Sequence, residues 1–318
     1  MRRPIVFLFS GQGSQYYQMG RELYLHHDLF RHWMQLLDNG YYSISGQSVV
    51  DELYSREIGS KFDRLVYTHP AIFMVEYALA QVLMENRIYP DYVLGTSLGE
   101  FASIAAARAL DYKTALECLT VQAKLVEEHC RPGGMTAILD SCTLYETEPL
   151  LNRNTELASV NYESHFVVSG GAEGLSEAEA CMRGKGILYQ RLPVNYGFHS
   201  GWIDEAAAPY KRFLGGVSLK PPQVPLVSGF LGDRCGTFES DYLWKAVREP
   251  IQFRSALRSL NPADGAVFID LGPSGTLANF VKHNLAQGLS DVYTIMTPFH
   301  KDVTHLERVI EAVNSPHA

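Results

Sequence analysis

The 318-residue sequence predicts an α/β protein with a large domain over residues 1–130 and 196–318 and a smaller domain, residues 131–195, inserted into it. Three observations lead there. Short β-branched or aromatic runs end in glycine-rich turns and give way to helical stretches, the order of a parallel sheet covered by helices. Between 134 and 192, four short apolar runs alternate with two helical ones. After residue 196 the strand-turn-helix style returns.

The elements follow in order. Residues 4–9 (Pro-Ile-Val-Phe-Leu-Phe) read as a buried strand running into Gly11-Gln12-Gly13-Ser14-Gln15. Residues 16–38 have helical spacing, and from His69 to Asn86 apolar residues recur through Ile72, Val75, Leu79 and Val82. Tyr92-Val93-Leu94 is a short strand entering Gly95-Thr96-Ser97-Leu98-Gly99. Alanine-rich Glu100–Leu110 and then Tyr112–His129 are helices. In the small domain, strands at Gly134–Leu139, Leu157–Val160, Phe166–Ser169 and Ile187–Leu192 enclose helices near Thr143–Asn152 and Leu175–Lys185. That is the β-α-β-β-α-β order of a ferredoxin-like unit. Gly170 to Gly174 reads as a turn. A helix from about Trp202 to Leu214 and strands at Pro225–Ser228 and Val267–Leu271 complete the large domain, with a frayed tail from Asn314.

Composition narrows the function. The chain is 46% hydrophobic and 19% charged, which supports a sizeable core and excludes a disordered or collagen-like chain. No apolar run approaches the ~20 residues of a membrane-spanning helix, and Ile5 to Phe9 is too short for a secretory leader. A net charge of −8, from 27 basic and 35 acidic residues, argues against a nucleic-acid binder with a broad basic face. Cys118, Cys130, Cys142, Cys181 and Cys235 lack C-x-x-C spacing, and no histidine pair completes a zinc set. They read as reduced thiols of a cytoplasmic protein, with no metal implied.

Chemistry concentrates at two places. Gly95-x-Ser97-x-Gly99 stands where a strand meets a helix, the context of a nucleophile elbow. The Leu98 amide, at the start of that helix, can point at a developing oxyanion. A serine nucleophile needs a base, and His199 in Tyr196-Gly197-Phe198-His199-Ser200 opens the returning α/β segment. Spacing alone does not separate it from the rest of the 11 histidines, and no acidic residue stands out to orient it. The Gly11–Gln15 segment is either a plain loop or a way to bring a backbone amide against a ligand; it lacks the lysine and glycine spacing of a phosphate loop.

Taken together, these motifs resemble the malonyl-CoA:acyl carrier protein transacylase family of fatty-acid and polyketide synthesis. The resemblance rests on Phe7-Leu8-Phe9-Ser10-Gly11-Gln12-Gly13-Ser14-Gln15, Gly95-Thr96-Ser97-Leu98-Gly99-Glu100, Val160-Asn161 with Val168-Ser169-Gly170, and Phe198-His199-Ser200. Arg248-Glu249-Pro250-Ile251 and Leu271-Gly272-Pro273-Ser274-Gly275 extend it over nearly the whole chain. It implies an α/β-hydrolase-like large domain with an inserted ferredoxin-like small domain, and ping-pong acyl transfer. Ser97 is then the nucleophile and His199 its base, with the backbone amides of Gln12 and Leu98 as the oxyanion hole. A backbone carbonyl, placed near Ala246 by counting from Glu249-Pro250, replaces the missing acid. The resemblance assigns Thr96, Gln122, Asn161, Tyr196 and Phe198 to the acyl pocket. No cofactor is implied beyond an acyl-phosphopantetheine thioester substrate, and the implied partners are acyl carrier protein domains of a polyketide synthase.

Two departures bear on substrate. The residue before the nucleophile, usually histidine in the family, is Thr96. Malonyl-using members carry an arginine about 25 residues past the serine, gripping the malonyl carboxylate through a two-pronged pair; the same count from Ser97 lands on Gln122. Lys124 is about 200° around the helix from the corresponding face and cannot substitute. Losing such a partner costs roughly 2–5 kcal/mol, so malonyl is expected to be a poor substrate. A transacylase without its clamp is similar to the acyl hydrolase branch of polyketide synthases whose acyltransferases act in trans, including the stand-alone homologues of bacillaene-type synthases. The expected function is release of acyl groups from stalled carrier proteins; the alternative is an acyl-CoA:carrier protein transacylase. Arg183, Lys185, Arg191, Lys211 and Arg212 are candidates for docking an acidic carrier.

Overall fold

The computed structural model describes residues 2–260, 265–286 and 288–315. Among these residues ten strands form two sheets: β1 (Ile5–Phe9), β2 (Tyr92–Gly95), β3 (Gly134–Ile138), β4 (Glu156–Tyr162), β5 (His165–Gly170), β6 (Tyr189–Arg191), β7 (Leu226–Ser228), β8 (Asp233–Cys235), β9 (Val267–Asp270) and β10 (Asp291–Thr294). The larger sheet has the order β10-β9-β1-β2-β7-β8. All its pairings are parallel except β7 with β8. β1 sits mid-sheet with all five residues buried, as its unbroken apolar run requires when helices cover both faces.

The smaller sheet, order β4-β5-β3-β6, is antiparallel. With helices Pro149–Asn152 and Ala172–Gly184 it has the ferredoxin-like β-α-β-β-α-β order. Its edge strand β4 is tied to the rest of the molecule: Val160 N donates to Ile251 O at 2.9 Å and Ile251 N to Ala158 O at 2.8 Å. The α/β class with its ferredoxin-like insertion is therefore as the sequence predicts.

Several local expectations are corrected. The single helix expected near Thr143–Asn152 is two, Thr143–Thr147 and Pro149–Asn152. Pro149 has no N–H to continue the first helix but suits the opening turn of the second. The segment expected as a turn at 170–174 is the end of β5, a Gly171 cap and the first helical turn from Ala172. The helix expected from Trp202 begins as a 3-10 turn, Gly201–Ala206, before Ala207–Leu214. Asn314 ends the helix Asp302–Asn314 rather than starting a frayed tail; residues 316–318 lie outside the described residues.

The helix Leu65–Glu85 runs through the centre of the large domain, buried on nearly all sides. Pro70 lies inside it and cannot donate to the Val66 carbonyl. The Tyr41 hydroxyl donates to that carbonyl instead, at 2.5 Å, so the buried acceptor keeps a partner.

Candidate active site

Ser97 sits in the turn between β2 and the helix Gly99–Ala106. Its φ is 55°, in the left-handed region that non-glycine residues rarely occupy. The turn is tight because its flanking glycines lack side chains. A Cβ on Gly99 would lie 2.1 Å from the Phe9 carbonyl oxygen, and one on Gly95 2.5 Å from Ser103 Oγ. The chain can therefore reverse against β1 and present the serine hydroxyl at the C-terminal edge of the sheet, where open α/β sheets place their ligands.

His199 meets it from the segment after the small domain. Its Nε2 is 2.7 Å from Ser97 Oγ, and its Nδ1 is 2.7 Å from the Glu249 carbonyl oxygen. The carbonyl can only accept, so Nδ1 carries the proton and Nε2 is free to accept from the serine hydroxyl. The His199 backbone is also left-handed, φ 59°, and its N–H donates to Val247 O at 2.9 Å. Burial pushes the imidazole pKa down to about 4; the Glu249 bond acts upward and the nearby Arg248 charge downward. The ring is uncharged at neutral pH, as a proton acceptor must be.

The expected orienting carbonyl near Ala246 is corrected to Glu249. Ala246 lies within the helix Tyr242–Arg248, whereas Glu249 is its extended C-cap (φ −80°, ψ 152°). Its carbonyl is thus released from the helix ladder and free to turn toward the histidine. The exposed Glu249 side chain takes no part.

Two backbone amides in the cavity wall are candidates to receive an oxyanion, those of Gln12 and Leu98. The Gly11-Gln12-Gly13 loop passes so close that a Cβ on Gly11 would lie 2.9 Å from Ser97 Cβ and 3.4 Å from its Oγ. Among the described residues neither the Gln12 nor the Leu98 amide donates to a protein acceptor. Leu98 caps the helix Gly99–Ala106, whose N-terminal dipole favours negative charge. The arrangement can bind an oxyanion beside an activated serine.

Buried carboxylates pin these turns from behind. Glu76 accepts from Ser10 N at 2.7 Å and Ser10 Oγ at 2.9 Å, and burial holds its pKa well above the carboxylate range. Glu100 accepts from Gly229 N at 2.7 Å, Ser228 Oγ at 2.9 Å and Tyr242 OH at 3.0 Å; burial raises its pKa to about 7. Glu76 thus ties the Ser10 loop to the helix Leu65–Glu85 and Glu100 ties the helix Gly99–Ala106 to the end of β7, and neither lines the cavity.

The cavity, about 380 Å³, lies between the two sheets, within the usual size of a small-molecule site. Ser97, His199, Gln12, Leu98, Thr96, Asn161 and Phe198 all line it. Tyr196, half-buried, is outside the wall, and so is Gln122, which is 1% exposed. The Gln122 side chain stands against His69, outside hydrogen-bond geometry, and His69 does line the cavity. Met135, Ala137, Val167 and Ile251 make the wall largely apolar. Among the described residues no lysine or arginine lines it.

Sequence reasoning missed His69, because a lone histidine in an apolar helix usually signals a core position. It also missed the cavity-lining His165 and Gln190, whose strands are ordinary in pattern. Among the described residues no three His, Cys, Asp or Glu side chains converge as a metal-ligand set, and no helix is long and apolar enough to cross a membrane. Of the candidate docking cations, Lys185 pairs with Glu148, Arg191 with Glu179 and Lys211 with Asp241. Arg183 donates to the Tyr189 hydroxyl. The group is therefore mostly neutralised locally.

Residues 6–318 match the model of the acyl transferase domain family. The chain is 48% identical to the polyketide biosynthesis acyltransferase homolog BaeD of Bacillus velezensis, over 99% of this chain and 98% of that protein. It is 44% identical to the corresponding homolog PksD of Bacillus subtilis, over 97% of this chain and 96% of that protein. In three dimensions it is similar to a loading acyltransferase of the avermectin modular polyketide synthase. That match has a TM-score of 0.88 at 23% identity and covers 98% of this chain and 100% of the other; at that identity the likeness concerns the fold alone.

Proposed function

The chain belongs to the acyl transferase domain family, and from that premise we propose that it is a trans-acting acyl hydrolase that clears stalled acyl groups from the carrier domains of a polyketide synthase. The observation that carries this reading is a cavity beside Ser97 and His199 with, among the described residues, no lysine or arginine in its wall and the neutral Gln122 behind it. A carboxylate-bearing acyl group buried there meets no compensating charge, whereas an uncharged chain meets an apolar surface.

In this mechanism Ser97 Oγ attacks the thioester carbonyl as His199 Nε2 takes its proton. The oxyanion rests on the amides of Gln12 and Leu98. Collapse of the tetrahedral adduct expels the pantetheine thiolate, which recovers the proton from His199, leaving an acyl-serine. His199 then takes a proton from water, the hydroxide attacks the ester, and Ser97 leaves with the proton returned to it. The Glu249 carbonyl holds the imidazole tautomer through both halves. No cofactor enters the scheme, and the unpaired cysteines suit a cytoplasmic setting.

The test offers the enzyme acetyl-carrier protein and malonyl-CoA, each labelled in the acyl group, with a second carrier as acceptor. The expected result is free acetate from acetyl-carrier and negligible loading from malonyl-CoA. Efficient malonyl transfer to the carrier with little free acid overturns the reading and leaves a transacylase.

A further inference from the structure

We propose that His69 is the specificity residue of the acyl cavity, its imidazole hydrogen-bonding an uncharged oxygen on the acyl chain and so selecting oxygenated acyl groups over plain alkyl and carboxylate-bearing ones. The inference rests on Ser97 being the acylated residue and goes beyond it to name the class of acyl chain.

His69 is 1% exposed, yet neither ring nitrogen has a hydrogen-bond partner among the described residues. Glu76, further along the same helix, does accept from Ser10 through Oε1, although its Oε2 is without a partner among the described residues. Lying in the same cavity wall as Ser97, the His69 ring packs 5.5 Å, centroid to centroid, from Phe198, the residue preceding His199. Behind it the Gln122 amide is also buried with both polar atoms unpartnered. Buried polar groups are rarely left this way unless they have a role to fill.

The chemistry of the partner follows from the ring. Burial pushes the His69 pKa to about 3, with Gln122 acting upward, so at neutral pH it offers one donor and one acceptor and no charge. A carboxylate therefore gains no counter-ion from His69, and among the described residues no lysine or arginine lines the wall to supply one. An alkyl chain leaves both nitrogens without partners, a burden usually felt as a tenfold or larger effect. A hydroxyl or ketone oxygen on the chain satisfies the ring without bringing a charge.

The experiment measures acyl-Ser97 formation by intact-protein mass spectrometry with pantetheine thioesters of hexanoate, 3-hydroxyhexanoate, 5-hydroxyhexanoate and malonate. The wild type is expected to acylate at least one hydroxylated chain about 10-fold faster than hexanoate, and malonate slowest. His69→Leu is expected to abolish the hydroxyl preference, read as the ratio of hydroxylated-chain to hexanoate acylation, and His69→Gln, which retains a donor and an acceptor, to preserve much of that ratio. A wild type without the preference, or one unchanged in His69→Leu, overturns the proposal. Should His69→Leu fail to fold, loss or retention of the preference in His69→Gln decides beside the wild-type ratio. Because acylation is scored, the selectivity result stands whichever acceptor takes the acyl group; absence of any acyl-Ser97 from the wild type instead removes the nucleophile assignment and this inference with it.

Discussion

The Glu249 carbonyl oxygen lies 2.7 Å from His199 Nδ1, the place an aspartate holds in a three-residue triad. A neutral carbonyl fixes the tautomer and ring orientation as a carboxylate does, but it contributes less to stabilising the imidazolium. Burial compounds this by holding His199 at a pKa of about 4. Only the backbone of Glu249 is used, so Glu249→Ala is expected to keep acylation within about threefold of wild type. A large loss, measured as burst-phase acylation, would show the side chain to be engaged.

Ser97→Ala is expected to abolish covalent acylation with the fold intact, and His199→Ala to lower it by several orders of magnitude, because a nucleophile and its base fail together. Peptide mapping of the trapped acyl-enzyme checks this; an acyl group on another residue refutes the assignment.

The pH profile follows from the same pair. If His199 is the base, its neutral form is the competent one, and its folded pKa lies near 4. Acylation is therefore expected to stay level from pH 8 to about 5 and to fall as pH drops through about 4. For stability the sign is the same: a histidine whose pKa is lower folded than unfolded favours the native state above its usual 6.5, and that contribution is lost as pH falls from 6.5 toward 4. An inflection in acylation near pH 6.5 would contradict the buried, neutral imidazole.

Gln122→Arg is expected to restore part of the malonyl loading and to slow acetyl turnover, since the guanidinium must be desolvated against an uncharged chain. Because Gln122 lies against His69 and outside the cavity wall, recovery is expected to be incomplete; errors of about 1 Å in placement can cost 100-fold. Steady-state rates with both donors measure it, and unchanged selectivity speaks against the position.

Gly99→Ala is expected to destabilise the protein by about 3 kcal/mol, since its Cβ would collide with the Phe9 carbonyl at 2.1 Å, while Gly236→Ala, with nothing within 4 Å, serves as the neutral control. Thermal unfolding of the two variants makes the comparison.

The sequence by itself determined the strand-turn-helix order, the inserted β-α-β-β-α-β unit and the identity of the Ser97 turn, because each rests on local signals: glycine spacing, apolar runs and helix periodicity. The helix Tyr112–His129 has the bounds the sequence predicts, and in the fold Asp111 accepts from Lys113 N and Thr114 N at its start. The edge strands β8 and β10 were not legible, being short, partly polar and dependent on neighbours for pairing. His199 was one histidine among several until folding brought it across 102 residues to Ser97. Which carbonyl orients it depends on where one helix ends, a boundary that counting misplaced by a turn. Whether Gln122 touches the cavity, and that His69 does, was decided by packing of the helices Leu65–Glu85 and Tyr112–His129 against each other. Side chains on facing helices meet by three-dimensional register, and no spacing in a single sequence encodes it.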